Sequence, residues 1–120
     1  MKPDDRDAAY LCDLLESSRL VKQFVENVNF RDYERDRKLQ LAVERGIEII
    51  GEAARNISDA FKQAHPEIPW RGIIGQRNVL AHEYGEIKQE RIWIVAKEKI
   101  PDLISKLQTL IPPLPPEPKR

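Results

Sequence analysis

The sequence predicts an all-α fold: one domain over residues 1–111, built as an up-and-down bundle of four to five helices with a long second helix. Apolar residues recur every three or four positions through most of this range, which is the spacing of amphipathic helices. Strand-like alternations are short and lack hairpin turns. A chain of 120 residues suits a single domain that buries about two-thirds of its unfolded surface.

The N-terminal pattern predicts a first helix that begins after Pro3 and closes at Asn27-Val28-Asn29. The acidic pair Asp4-Asp5 suits the positive end of a helix dipole. The apolar stripe consists of Leu11, Leu14, Leu15, Val21, Val25 and Val28. Cys12 lies on this apolar side and is the one cysteine of the chain, so we expect a packed thiol and a reducing compartment.

A second helical pattern runs from near Arg31 to Ala64 and predicts one long helix, which at 1.5 Å per residue would measure about 50 Å. A compact bundle needs less, so we expect this helix to bend or project. Small residues let another helix backbone approach closely, which would offset the ~1 kcal/mol that glycine costs against alanine. Ordinary tolerance of glycine is the alternative. The predicted contact face carries Gly46 and Ala53, with Gly51 and Ala54 at its margins.

The C-terminal half predicts two more helices and a tail. Two prolines break the chain at residues 65–69, where we expect His65 at the surface, and Pro69 then opens a helix with core contacts from Trp70, Ile73 and Ile74. A last helix starts near Lys88 and bends slightly at Pro101. Its stripe is Ile92, Val95, Lys99, Leu103, Ile104, Leu107 and Leu110. The proline-rich residues 112–120 predict an extended or disordered tail.

The stretch Arg77-Asn78-Val79-Leu80-Ala81-His82-Glu83-Tyr84 combines a cation, an amide, an imidazole and a phenol. Arg77 falls inside the apolar stripe of its helix, and a buried guanidinium costs several kcal/mol unless it is paired. We therefore expect a carboxylate, a second chain or an anionic ligand opposite Arg77. His82 lies about 140° round the same helix, so the helix must end or bend near it before both side chains can reach one atom.

The residue content narrows the chemistry that this stretch can support. Two distant histidines and one cysteine give no recognisable metal site, and no glycine-rich phosphate loop or nucleophile motif is present, so we expect no metal and no cofactor. What remains is acid–base chemistry at a phosphodiester, where RNA supplies its own 2′-hydroxyl nucleophile. His82 suits proton transfer, Arg77 suits the phosphate, and Asn78 can orient either one.

An acid and a base are needed on opposite sides of the phosphorus, whereas one motif holds one histidine. We therefore expect a homodimer with two motifs lining one cleft, formed through the face that carries Gly46 and the motif helix. Glu52, beside the small-residue face, can support the site by pairing with Arg77 of either chain. A solvated ion pair with Arg55 or with the neighbours of Glu48 is the alternative for Glu52.

Charge and composition limit the partners and the compartment. The formal net charge is zero with 33% charged residues, so no global basic field gathers nucleic acid and any RNA contact must be local. The N-terminus is too polar for a signal peptide, and no apolar run approaches the ~20 residues of a membrane span. We expect a cytoplasmic protein with no membrane contact.

The motif resembles the Arg-x4-His motif of HEPN ribonucleases and, with Tyr84, the Arg-x4-His-x-Tyr form of HepT-like toxins. Further blocks agree over roughly residues 6 to 110: Asp36-Arg37, Ala42-Val43-Glu44-Arg45, Ile49-Ile50-Gly51-Glu52-Ala53-Ala54 and Ile68-Pro69-Trp70. The resemblance implies a homodimeric HEPN bundle, catalysis by Arg77 and His82, and the toxin role in a type VII-like toxin–antitoxin pair. It also implies that Tyr84 is adenylylated by a partner antitoxin, a MntA-type minimal nucleotidyltransferase.

Other functions remain open at this stage. A non-catalytic binding subunit of a nucleotidyltransferase pair is the main alternative, and the neutral charge of the chain favours it slightly. A plain dimerisation module is a third possibility, which leaves the motif unexplained. His82 can be a surface or capping residue, and Tyr84 either packs its ring or presents its hydroxyl to a modifying enzyme.

Overall fold

The computed structural model describes residues 3–75 and 88–110, and the regular structure within them is helical, which confirms the all-α fold class. The helices are more numerous and shorter than the four to five expected. The proline-rich tail lies outside the described residues. The described elements are α1 (Asp5–Val25), α2 (Phe30–Arg35), α3 (Arg37–Asn56), α4 (Asp59–Ala64), α5 (residues 70–75), α6 (Gln89–Ile94), a π-helical turn (Val95–Lys99) and α7 (Ile100–Gln108).

Helix α1 begins where predicted and ends at Val25, and its predicted stripe is buried except for Val28, which lies beyond the helix and is half-buried. Its N-terminus is capped by Asp4, whose carboxylate accepts a hydrogen bond from the Asp7 amide at 2.7 Å. Beyond its end at Val25, Asn27 adopts a positive φ of 61°, a left-handed conformation that asparagine tolerates better than most residues. Cys12 is half-buried and its thiol is free.

The long second helix is present as α3, with 20 residues, but its predicted extent from residue 31 to residue 64 is wrong. The chain leaves the helical conformation at Asp36, whose carboxylate caps α3 by accepting from the Leu39 amide at 3.0 Å. It leaves it again at Ile57 and Ser58, where the Ser58 hydroxyl accepts from the Phe61 amide at 3.2 Å and caps α4. Both breaks use side chains that bond the backbone locally and so compete with helix continuation.

Helices α1 and α3 pack antiparallel and form the most extensive helix pair among the described elements. At one end, the amide and hydroxyl of Ser58 donate to the buried Asp7 carboxylate at 2.9 and 2.6 Å. Further along, Gly46 lies so close to Val21 that a Cβ at Gly46 would overlap the Val21 side chain. The close helix contact predicted for Gly46 is therefore confirmed within one chain. Because α1 covers Gly46, this residue cannot itself lie in a contact with a second chain. The predicted homodimer stays a prediction.

The C-terminal helix starts near Lys88, as predicted, and contains a π-helical turn just before Pro101, the residue at which a slight bend was predicted. Pro101 lacks an amide hydrogen, and just before it the Ile100 amide donates to the Val95 carbonyl, one residue further back than in an α-helix. This extra residue rotates the apolar stripe. Ala96 and Ile100 are buried, whereas Lys99, predicted on the stripe, is exposed.

No helix among residues 3–75 and 88–110 has both the length and the apolar content needed to cross a lipid bilayer.

Replacing Gly46 with alanine tests the close contact. Gly46→Ala is expected to lower the free energy of unfolding by about 1–3 kcal/mol, because the new methyl group overpacks a full core. Val21 is β-branched and buried, so it cannot rotate away at low cost. The matched control is Gly72→Ala in α5, where an added Cβ meets nothing within 4 Å. This control should stabilise the protein by up to about 1 kcal/mol through helix propensity.

Urea unfolding of both variants, and of Gly46→Ala in a Val21→Ala background, measures the effect. The cost of Gly46→Ala should shrink once the Val21 methyl groups are removed, because the two sites are in direct contact. Equal stabilisation by Gly46→Ala and Gly72→Ala would show that the α1–α3 contact has room for a side chain.

Candidate functional site

The predicted site residues Arg77, Asn78, His82 and Tyr84 lie outside the described residues, which end at Gly75 and resume at Lys88. The described structure therefore shows the two segments that flank the motif in the sequence, and we call these segments the frame. One side is α5 with the segment before it, and the other side is the start of α6.

Trp70 anchors the N-terminal side of the frame. Its side chain is 8% exposed, and its indole Nε1 donates to the His65 carbonyl at 2.9 Å. The Trp70 ring also meets Phe61 edge to face, with ring centroids 6.5 Å apart. Ile73 and Ile74 pack against the core one turn later, as predicted. The direction of α5 is thus fixed just before the chain reaches Arg77.

The prediction that His65 lies at the surface is wrong, because its side chain is 13% exposed. The His65 ring lies 4.4 Å from the Phe61 ring, and its Nδ1 donates to the Glu67 carboxylate at 3.0 Å. A hydrogen bond from its own backbone amide is the main cause that holds the pKa of Glu67 below its usual range, and the contact with His65 lowers this pKa further. His65 belongs to the packed segment that leads into α5.

A polar cluster anchors the C-terminal side of the frame. The buried Tyr33 hydroxyl donates to Gln89 Oε1 at 2.6 Å, and Gln89 Nε2 donates to Glu44 Oε2 at 3.0 Å. Arg37 Nη1 donates to the same carboxylate oxygen at 3.2 Å. Burial raises the pKa of Tyr33, as does the charge of Glu44, whereas Arg37 lowers it, so the phenol stays a hydrogen-bond donor.

The sequence analysis did not identify this cluster. Its residues come from α2, α3 and α6, and Tyr33 and Gln89 carry no local signal of pairing. The available signal was Glu44 itself, a carboxylate one helical turn below Gln40 on a face that turns toward the core. A buried carboxylate requires partners, so its position alone indicated a polar contact from another element.

Glu52 lies on the exposed side of α3, as the sequence placed it beside the small-residue face. It borders a groove of about 300 Å³ between α1 and α3 whose walls include Tyr10, Asp13, Arg45, Glu48, Ile49, Ala53 and Asn56. Arg45 and Glu48 form an ion pair at 3.2 Å in this groove. The predicted pairing of Glu52 with Arg77 concerns a residue outside the described ranges and stays a prediction.

An apolar cavity of about 180 Å³ lies between α3, α5 and α7. Helix α3 contributes Ile47 and Ile50, and α5 contributes Gly72 and Ile73. The charged side chain on its wall is Lys99, from the π-helical turn. Such a lining suits an apolar group rather than a phosphate.

The sequence of this chain is similar to one protein family and to several of its relatives. A family model described as "HepT-like: Ribonuclease HepT-like" matches residues 14–110. A probable ribonuclease HepT from Thermococcus cleftensis is 42% identical over 110 residues, which is 92% of this chain and 98% of the relative. A putative RNase from Methanocaldococcus jannaschii is 36% identical over 79% of this chain and 87% of the relative.

A putative RNase from Caldanaerobacter subterraneus is 32% identical over 85% of this chain and 91% of the relative. No solved structure matches the chain significantly.

Proposed function

The chain belongs to the HepT-like ribonuclease family, and from this we propose that it is a metal-independent endoribonuclease and the toxin of a type VII-like toxin–antitoxin pair. We assign catalysis to Arg77 and His82, and silencing to AMPylation of Tyr84. The observation that carries the proposal is that the family match over residues 14–110 includes the whole Arg-x4-His-x-Tyr motif.

The proposed reaction uses the RNA 2′-hydroxyl as nucleophile. A base removes its proton, the 2′-oxygen bonds to phosphorus, and the bond from phosphorus to the 5′-oxygen breaks as an acid protonates that leaving oxygen. The products are a 2′,3′-cyclic phosphate and a 5′-hydroxyl. His82 carries the proton transfers, and the permanent charge of Arg77 stabilises the crowded phosphorane. Asn78 and Glu52 support this pair, and no step requires a metal ion.

The proposal includes a homodimer, because separate histidines then serve as acid and base across one cleft. Because both motifs must line one cleft, the proposed interface lies on the side of the bundle that carries α5, since the motif directly follows this helix. Gly46 itself is covered by α1 and is not part of that interface.

Zero net charge is consistent with a local RNA contact that depends on the motif itself. The same neutrality supports the second candidate function, a non-catalytic binding subunit of a nucleotidyltransferase pair. We place the protein in the cytoplasm, where RNA and a MntA-like antitoxin would both be accessible. An AMP group on Tyr84, two residues from His82, would add bulk and negative charge and repel RNA.

Cleavage without metal is the first test of this proposal. The purified chain should cut RNA in the presence of EDTA and leave 2′,3′-cyclic phosphate ends, since every proposed group belongs to the protein or the RNA. His82→Ala and Arg77→Ala should each lower the cleavage rate by at least about 100-fold while the circular dichroism spectrum is unchanged. Full activity of His82→Ala would end its catalytic role. RNA binding by a parent protein that does not cleave would favour the binding-subunit function.

Mixing experiments test the shared cleft. Sedimentation should give twice the monomer mass at micromolar concentration, and wild-type chains exchanged with an equal amount of His82→Ala chains should form mixed dimers. If a cleft needs both histidines, only pure wild-type dimers cleave, and at the same total chain concentration the activity falls to about one quarter of that of pure wild-type protein rather than about one half. A monomer, or activity near one half, would contradict the shared-cleft mechanism.

The modification of Tyr84 is tested with a co-expressed MntA-type nucleotidyltransferase and ATP. The wild-type chain should gain one or more AMP groups of about 329 Da each on the peptide that contains Tyr84, measured by mass spectrometry. Tyr84→Phe should keep its cleavage activity, because the ring is retained, and escape inhibition. Modification at another residue would contradict the assignment to Tyr84, and silencing of Tyr84→Phe by a catalytically inactive partner would show that inhibition occurs by occlusion.

A further inference from the structure

Helix α6 begins differently from the first four helices of the chain. Helices α1 to α4 each start with a side-chain cap, provided by Asp4, Asn29, Asp36 and Ser58. The residue at the start of α6 is Lys88, which makes no side-chain cap hydrogen bond. The first residue of α6, Gln89, is instead held by tertiary contacts, because its side-chain amide forms hydrogen bonds with both Tyr33 and Glu44. We call these three residues the Gln89 clamp.

The chemistry of the Gln89 clamp fixes the orientation of the amide. A carboxylate only accepts hydrogen bonds, so Gln89 Nε2 must face Glu44, and Gln89 Oε1 is left to accept from the Tyr33 hydroxyl. Gln89 therefore fills a place that needs a donor and an acceptor on one planar group. A leucine of similar size would satisfy neither partner.

The Gln89 clamp is also tied to the junction between α2 and α3. Gln40 Nε2 donates to the carbonyls of Tyr33 and Glu34 at 3.1 and 2.9 Å, which holds the end of α2 against α3. Arg37 donates to both Gln40 and Glu44. A fully hydrogen-bonded network of this kind resists rotation of its elements, because each displaced group would leave a buried partner unsatisfied.

We propose that Tyr33, Glu44 and Gln89 are positioning residues for RNA cleavage: they fix the first turn of α6, which directly follows the segment that contains His82 and Tyr84. This inference rests on the proposed function. The axial rotation and register of α6 set the position of the described chain immediately after this segment. Loss of the Gln89 clamp lets this end shift, and a displacement of about 1 Å at reacting groups can reduce the rate by as much as 100-fold.

Tyr33→Phe is the sharpest variant, because it removes the hydroxyl and keeps the ring that packs against Phe30 and Trp93. Its kcat for RNA cleavage should fall about 10- to 100-fold with KM nearly unchanged. Gln89→Leu should lower kcat at least as much. The double variant should be no slower than Gln89→Leu alone, because both changes remove the same contact.

The control is Ser58→Ala, which lies outside the Gln89 clamp and removes a hydroxyl hydrogen bond of the same length, 2.6 Å, together with the cap of α4. Assayed well below the unfolding temperature of every variant, Ser58→Ala should keep its kcat while its melting temperature falls. An equal loss of kcat in Ser58→Ala, or wild-type kcat in both Tyr33→Phe and Gln89→Leu, would overturn the positioning role.

Amide hydrogen exchange gives a measurement that does not depend on activity. The peptide that covers α6 should exchange about tenfold faster in Tyr33→Phe than in Ser58→Ala, because the first turn of α6 has lost its anchor. If the wild-type protein does not cleave RNA, the proposed function fails, and this exchange rate still tests the Gln89 clamp. Unchanged exchange in α6 would show that the clamp does not hold this helix.

Discussion

The close contact between α1 and α3 is the constraint on which the rest of the bundle depends. Gly46 has no side chain, so the Val21 methyl groups lie directly against the α3 backbone, and the Asp7 carboxylate holds the far end of the pair through Ser58. With distance and register fixed at two points, the antiparallel pair presents one face to α5 and α7 and leaves its outer side exposed. The cost of a glycine inside a helix, about 1 kcal/mol, is offset by the apolar contact that it permits.

Hydrogen bonds from side chains divide the remaining chain into short helices. Asp36 and Ser58 interrupt a continuous apolar pattern, and each break gains a contact that a straight helix would not have. Ser58 reaches Asp7 on α1, and the break at Asp36 lets the end of α2 bond Gln40 on α3. The π-helical turn before Pro101 has a similar effect in the last helix, because it brings Ala96 and Ile100 into the core.

The motif that carries the proposed chemistry is flanked by two anchors of different physical kinds. On one side Trp70 is held by aromatic packing and one hydrogen bond. On the other side Gln89 is held by two hydrogen bonds, to a phenol and a carboxylate, which depend on direction more than packing does. A phosphoryl-transfer site built from a single histidine and arginine per chain depends on placement more than on residue content. Such a site benefits from a rigid frame.

The sequence by itself determined the helical class, the start of α1, the start of the last helix, the core contacts of α5 and the close approach at Gly46. These features follow from local periodicity, proline placement and residue size. It also singled out Arg77, Asn78, His82 and Tyr84, because their side-chain chemistry is distinctive. Only the tertiary structure decided that α1 of the same chain packs on Gly46 and that Gln89 forms hydrogen bonds with Tyr33 and Glu44. It also decided where the second apolar pattern breaks and how the apolar stripe of the last helix is rotated. A capped break at Asp36 or Ser58 and a continued helix differ by only a small free energy, so a contact with a residue distant in the sequence decides between them.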